Sequence, residues 1–211
     1  MTDRKQEIID IASNLFIENG YAGTSINAVA TAAGIQKASL YHHFPSKEAL
    51  FLSCIGHGYP DHIARMKVYA EDTSKPHAER LKLMLDEFYD AMIFSNVGRM
   101  SSIIAETTRR FPQMARDFHD QFIEEMDTSL RTLLSDGIAV GAFEEVDADG
   151  FDYIFCSTPV HLSLSRAMFA CFDDLEERFN VEKIKKAHWD ALKALLKIDE
   201  RAQTHQVAAL V

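Results

Sequence analysis

Apolar residues recur at three- and four-residue spacing along nearly the whole chain, and no stretch shows the alternation of a half-buried strand. That period commits the backbone to amphipathic helices and predicts an all-α protein. Near the N-terminus Ile8, Ile11, Ala12 and Leu15 form one stripe, which Phe16 widens. Gly20 stops this helix, since glycine alone takes a left-handed cap without penalty. Thr24 or Ser25 can cap the next helix, where Ile26, Val29, Ala30 and Ala33 repeat the spacing. Gly34 then breaks the chain. A short helix near Lys37–His43 buries Leu40 and ends at Phe44-Pro45, because proline and its predecessor both resist continuation. Ser46 caps a fourth helix.

Beyond Leu50 the helices lengthen. One is expected from Lys47 to about Glu71, bent at Gly56, Gly58 and Pro60. Another follows Pro76 with Leu81, Met84, Leu85, Phe88 and Met92 inward. Phe118, Phe122, Met126, Leu130 and Leu133 make a long stripe, and "GAFEEVDADG" is the clearest loop. Two further long helices are expected at about 149–172, interrupted by Pro159, and 180–197, capped by Asn180. Residues past Asp199 have no apolar pattern to hold them and are expected to fray. The chain thus divides into residues 1–50, residues 51–199 and a tail at 200–211.

Charge sharpens the division. The 211 residues carry a net −10, but residues 1–50 hold four positive and five negative side chains, so the other 161 carry −9. An acidic protein is not a generic nucleic-acid binder; any DNA contact belongs to the first segment, with the acidic remainder facing away from phosphate. No apolar run is long enough to span a membrane, and the charged start "MTDRKQEIID" is unlike a signal peptide, which points to the cytoplasm. Cys54, Cys156 and Cys171 are odd in number and far apart, as expected of reduced buried thiols.

Two short helices around a glycine turn read as a helix-turn-helix, whose second helix reads base edges in the major groove. Such a helix needs one thin apolar side, here Leu40 and Phe44, and donors and acceptors elsewhere, here Gln36, Lys37, Ser39, Tyr41 and His42. Adjacent histidines point to different faces, so His42 is assigned to DNA and His43 to a contact within the domain. Lys37 and Lys47 each sit in the first turn of a helix, where a cation opposes the dipole unless an anion is held between.

Residues 8–51, through "FIENGYAGTSI", "VATAAGI" and "SLYHHFPSKEALF", resemble the DNA-binding domain of the tetracycline-repressor (TetR) family of transcriptional regulators. The resemblance implies phosphate contacts from Thr24 or Ser25, Tyr41, His42 and Lys47, and base contacts from Gln36, Lys37 and Ser39. Gln36 departs from the family, where serine or threonine often caps the reading helix; glutamine caps poorly but can pair with adenine. The resemblance also implies a larger C-terminal helical domain for ligand binding and dimerisation, with a cavity among its helices and a four-helix interface between two copies. Phe88, Met92, Phe122 and Met126 are the apolar candidates for that cavity. Glu106, His119 and His161 are the polar ones, although Glu106 can instead pair with Arg109 and Arg110 on the surface.

No nucleophile elbow, phosphate loop or metalloprotease helix is present, and the spacing of His57, His62 and His119 is not that of a metal site. The expected protein is a homodimeric repressor of a double-stranded DNA operator, released by a small apolar or amphipathic effector, with no cofactor, metal, membrane or catalytic role. A helical enzyme and a small-molecule carrier are the alternatives.

Overall fold

The computed structural model describes residues 4–109 and 111–198, so the expectation of a frayed tail at 200–211 lies outside the described residues. Twelve helices and no strand occur among them. No helix there is long and apolar enough to cross a membrane.

The N-terminal head is built from α1 (Arg4–Gly23), α2 (Ile26–Ala32) and α3 (Lys37–His43). In α1 the buried face is centred on Ile8, Ile9, Ala12 and Phe16, while Ile11 and Leu15 are only partly covered. The stripe is therefore rotated slightly from the one read in the sequence, because α4 (Lys47–Ile55) packs along α1 and draws Phe16 against Phe51, ring centroids 5.0 Å apart. Gly20 leaves helical geometry at φ 70°, and a last turn carries the chain to Gly23. The head core closes on Val29, Leu40 and Phe44, each full burial stabilising the domain by about 1.5–3 kcal/mol.

The single helix expected from Lys47 to Glu71 is two helices. Gly58 turns the chain at φ 77° and Pro60 lies in the first turn of α5 (Tyr59–Glu71), so the backbone changes direction where a bend was expected. The body continues through α6 (His77–Phe94), α7 (Asn96–Thr108), α8 (Pro112–Phe122) and α9 (Glu124–Ala139). The long Phe118–Leu133 stripe is split at Ile123 between α8 and α9. After the loop, α10 (Ala148–Met168) is capped by Asp147 and runs through Pro159. The short α11 (Leu175–Arg178) leads into α12 (Val181–Leu195), where the Asn180 side chain accepts from the Lys183 N–H at 2.8 Å.

Head and body meet along α4, which touches α1 on one side and α7 and α8 on the other. Asn96 at the start of α7 donates to Ser13 Oγ (3.0 Å) and to the Cys54 carbonyl (3.1 Å), tying α1, α4 and α7 together. Tyr21 stacks edge-on with both Phe51 (4.9 Å) and Phe111 (5.4 Å). On the far side, buried His188 of α12 joins the Tyr89 hydroxyl (3.1 Å) to the Ile154 carbonyl (3.1 Å), and burial keeps its pKa below the usual histidine value. Cys54 is buried and Cys156 half-buried, but Cys171 is exposed, against the expectation of three buried thiols.

Candidate nucleic-acid interface

The geometry of α2 and α3 follows from three local features. Ser25 is the N-cap of α2, its hydroxyl accepting from the Ala28 N–H at 3.0 Å. Gly34, at φ 65°, reverses the chain, and the Ile35 N–H closes the turn on the Ala30 carbonyl at 2.9 Å. Any side chain at Gly34 meets open space but a strained backbone, so the glycine is there for conformation. Arg4 donates to the Ala33 carbonyl, bracing the turn from α1.

From that turn α3 projects with Leu40 alone buried within it, Phe44 anchoring its end. Gln36, Lys37, Ser39, Tyr41 and His42 are all exposed. Gln36 makes no side-chain capping bond, which answers the question raised by its departure from serine or threonine: the first N–H groups of α3 are left without a side-chain acceptor. Lys37 extends over the Tyr41 ring, 5.8 Å from its centroid. His43 is exposed rather than packed into the domain; its ring lies only at the edge of Phe44, 6.3 Å between centroids. Ala38, which the sequence reading passed over, is also exposed and sits opposite the Leu40–Phe44 side. A helical wheel drawn from Leu40 finds it.

Two assigned phosphate contacts are placed differently. Thr24 is buried, its hydroxyl donating to the carbonyls of Leu15 and Gly20, both at 2.9 Å. It locks α1 to α2 and offers no side-chain donor to a backbone outside. Lys47 is half-buried with its ammonium 4.2 Å above the Tyr21 ring in a cation–π contact, while burial lowers its pKa. Tyr21 in turn donates to Glu48 at 2.9 Å, and Ser46 caps α4 through the Ala49 N–H. Glu48 is held below the usual carboxylate range, first by its own backbone N–H and then by Ser46 and Tyr21.

The six residues assigned to an effector cavity do not converge. Phe88, Met92 and Met126 are buried in the body core, Phe88 stacked on Phe155 at 6.1 Å. Phe122 faces the α4–α8 seam, where a cleft of about 410 Å³ opens beside Gly56. Glu106 is exposed at a separate cleft of about 200 Å³ between head and body, with Lys47, Tyr21 and Phe111. His161 is exposed on α10, and His119 is exposed beside Asp120. Stripe periodicity identifies which residues are inward; it carries no information on which inward residues border a space.

Residues 8–54 match the tetR family of bacterial regulatory proteins. Over that N-terminal segment the chain is similar to tetR-family regulators. Among curated tetR-like relatives, YerO of Bacillus subtilis (strain 168), an uncharacterized HTH-type transcriptional regulator, is 35% identical over 111 residues, which is 50% of this chain and 38% of YerO. KstR2 of Rhodococcus jostii (strain RHA1), an HTH-type transcriptional repressor, is 51% identical over 47 residues, 22% of this chain and 23% of KstR2. These matches thus span well under two thirds of either relative. The fold extends much further: the regulator FadR from Bacillus subtilis, solved in complex with stearoyl-CoA, superposes with a TM-score of 0.68 over 86% of this chain and 96% of its own, at 19% identity. The helical fold of that regulator therefore extends over most of this chain, well beyond the N-terminal segment.

Proposed function

We propose that this chain is a homodimeric, effector-responsive transcriptional repressor that binds a palindromic DNA operator. The observation that carries the reading is α3 itself: seven residues after a glycine turn, docked by Leu40 and Phe44 alone, with every other side chain turned to solvent. Gln36, Lys37 and Ser39 specify bases; Ser25, Tyr41 and His42 position the head on phosphates. Lys47 joins them when its ammonium leaves the Tyr21 ring. Thr24 is removed from the contact set and kept as a brace.

Dimerisation is supported by an apolar stripe that is left exposed among the described residues. Tyr153, Ile154, Val160 and Met168 on α10 are 77%, 43%, 39% and 63% exposed, and Leu195 on α12 is 37% exposed. Paired about a two-fold axis, these helices make a four-helix contact that sets the two α3 helices one DNA turn, about 34–36 Å, apart.

The effector is proposed to be a small apolar or amphipathic molecule, in keeping with a fold that holds stearoyl-CoA in FadR. It acts through α4. The Phe122 ring presses on Gly56 at the end of that helix, so closely that a Cβ there would lie 2.5 Å from it. A body that shifts α8 therefore shifts α4 and the head. Release requires the effector to favour the DNA-incompetent arrangement; a hundredfold preference is about 2.7 kcal/mol.

Selection of bound sites from random duplexes with the purified protein tests the reading. A palindrome is expected, and with Lys37 and Lys47 as the cations of each head about four phosphates are neutralised per dimer, so log K should fall with log salt at a slope of roughly −4. Gln36→Ala is expected to relax the preference at one base pair by about 1–3 kcal/mol, and Lys47→Ala to weaken all sequences alike. A protein that binds small molecules yet selects no duplex is a carrier, and the proposal fails.

A further inference from the structure

Thr107, near the end of α7, is 3% exposed, and its buried hydroxyl has no hydrogen-bond partner among the described residues. Helical hydroxyls elsewhere in the body turn back on their own helix. Thr128 donates to the Glu124 carbonyl and Thr132 to the Thr128 carbonyl, both at 2.8 Å, and Ser129 donates to the Glu125 carbonyl at 2.9 Å. Thr107 makes no such bond. A buried hydroxyl left unpaired costs stability, so its retention calls for an acceptor that arrives from outside the chain.

A second, independent feature stands beside it. Thr107 lines the cleft of about 200 Å³ between head and body, together with Tyr21, Lys47, Glu106 and Phe111. Tyr21 and Phe111 meet edge to face, ring centroids 5.4 Å apart, and form one apolar wall. The Lys47 ammonium rests on the Tyr21 ring, but among the described residues no oxygen accepts from it and no carboxylate lies within salt-bridge distance. An ammonium has three donors, and a ring face does not use them all. Glu48 acts on Lys47 only through its charge, because its carboxylate already accepts from the Tyr21 hydroxyl at 2.9 Å. Glu106 is exposed. The cleft therefore offers one cation without an anion, one hydroxyl without an acceptor, and an aromatic wall.

We propose that this cleft is a second small-molecule site, apart from the Phe122–Gly56 seam, and that it takes a single-ring aromatic monocarboxylate. The ring packs on Tyr21 and Phe111; the carboxylate accepts from Lys47 Nζ and Thr107 Oγ1. Size favours one ring: a cavity of about 150 Å³ holds benzene, so about 200 Å³ admits a ring with one carboxylate and excludes a long acyl chain. Glu48 and Glu106 set like charge against a second carboxylate on the ligand. A bound carboxylate keeps Lys47 on the Tyr21 ring and withholds its ammonium from operator phosphate, so occupancy weakens operator binding. That consequence rests on the regulator reading; the site itself does not.

Calorimetric titration of the intact chain with sodium benzoate, in the absence of DNA, tests the site, with benzamide and benzylamine as neutral and cationic comparators. One benzoate per chain is expected, with benzamide weaker by about 10-fold or more, since only the carboxylate makes a charge-assisted bond to the ammonium. Lys47→Met keeps the aliphatic stem and Thr107→Val keeps the shape; each is expected to weaken benzoate by about 10-fold. The Thr107→Val chain melts no lower than the parent, because an unpaired buried hydroxyl is gone, so its lost binding is not lost folding. In a separate arm, benzoate loosens the parent's complex with its selected duplex and has little effect on that of Thr107→Val at the same concentration. A chain that takes up benzoate in this way yet selects no duplex fails the regulator reading and upholds the site. No uptake of benzoate, benzylamine binding as tightly as benzoate, or binding untouched by both substitutions overturns the site. Benzoate that binds the cleft and leaves the parent's duplex complex unchanged overturns the consequence for Lys47.

Discussion

Tyr153→Asp is expected to convert the dimer to monomer and to remove operator binding at concentrations where the parent saturates. Tyr153 is 77% exposed in the single chain, on the outer face of α10, so the substitution leaves the monomer's core untouched. In the proposed interface the same position is covered, and two-fold symmetry places two aspartates there. Burying an unpaired carboxylate costs several kcal/mol, which corresponds to a rise in the dimer dissociation constant of about 1,000-fold or more. Operator affinity falls with it, because two heads joined on one duplex gain an effective concentration that one head lacks. Sedimentation equilibrium and fluorescence anisotropy on a labelled operator check the two halves, and circular dichroism confirms the helices remain. A variant that stays dimeric moves the interface off α10.

Gly98→Ala is expected to be among the most damaging single-methyl additions in the protein. An ideal Cβ at Gly98 lies 1.6 Å from the Met92 carbonyl oxygen and 2.7 Å from Ser163 Oγ. The obstruction is backbone, and the α6–α7 corner is already drawn tight by Ser95, whose hydroxyl donates to the Ala91 carbonyl and accepts from the Val97 N–H. The two helices must separate, and overpacking of this kind costs about 3 kcal/mol or more. For a chain of this size the melting temperature falls by about 6–12 °C. Operator binding weakens too, since α7 carries Asn96, which holds Ser13 and the Cys54 carbonyl at the head–body joint. Gly23→Ala is the control: its Cβ meets only Asn19 Cβ, at 3.4 Å, and little change is expected. A melting temperature within about 2 °C of the parent for Gly98→Ala contradicts the corner's geometry.

The helix-turn-helix was legible almost residue by residue, for a physical reason. Its determinants are local: a serine cap at Ser25, a positive-φ glycine at Gly34, a buried Leu40 four residues before Phe44, a proline stop at Pro45. Each acts within one or two turns. Local chemistry also located Ser46 and Asn180 as caps, and the loop before Asp147. It was less informative where two outcomes share the same local signals. Gly58 and Pro60 could bend one helix or separate two, and the inward stripe from Phe118 to Leu133 continues smoothly across the break at Ile123. Thr24 and Ser25 are equally good caps in isolation; only the approach of the Leu15 and Gly20 carbonyls draws Thr24 inward and leaves Ser25 to α2.

The sequence by itself determined that this protein is all-helical, that its head is a helix-turn-helix, and which faces of most helices turn inward. Those properties depend on periodicity and on caps, which are written in neighbouring residues. Tertiary structure alone decided that Lys47 rests on Tyr21, that His188 joins Tyr89 to the Ile154 carbonyl, and that the effector candidates lie apart. Each of these joins residues from different helices, and their meeting is set by how the helices pack, which no spacing along the chain records.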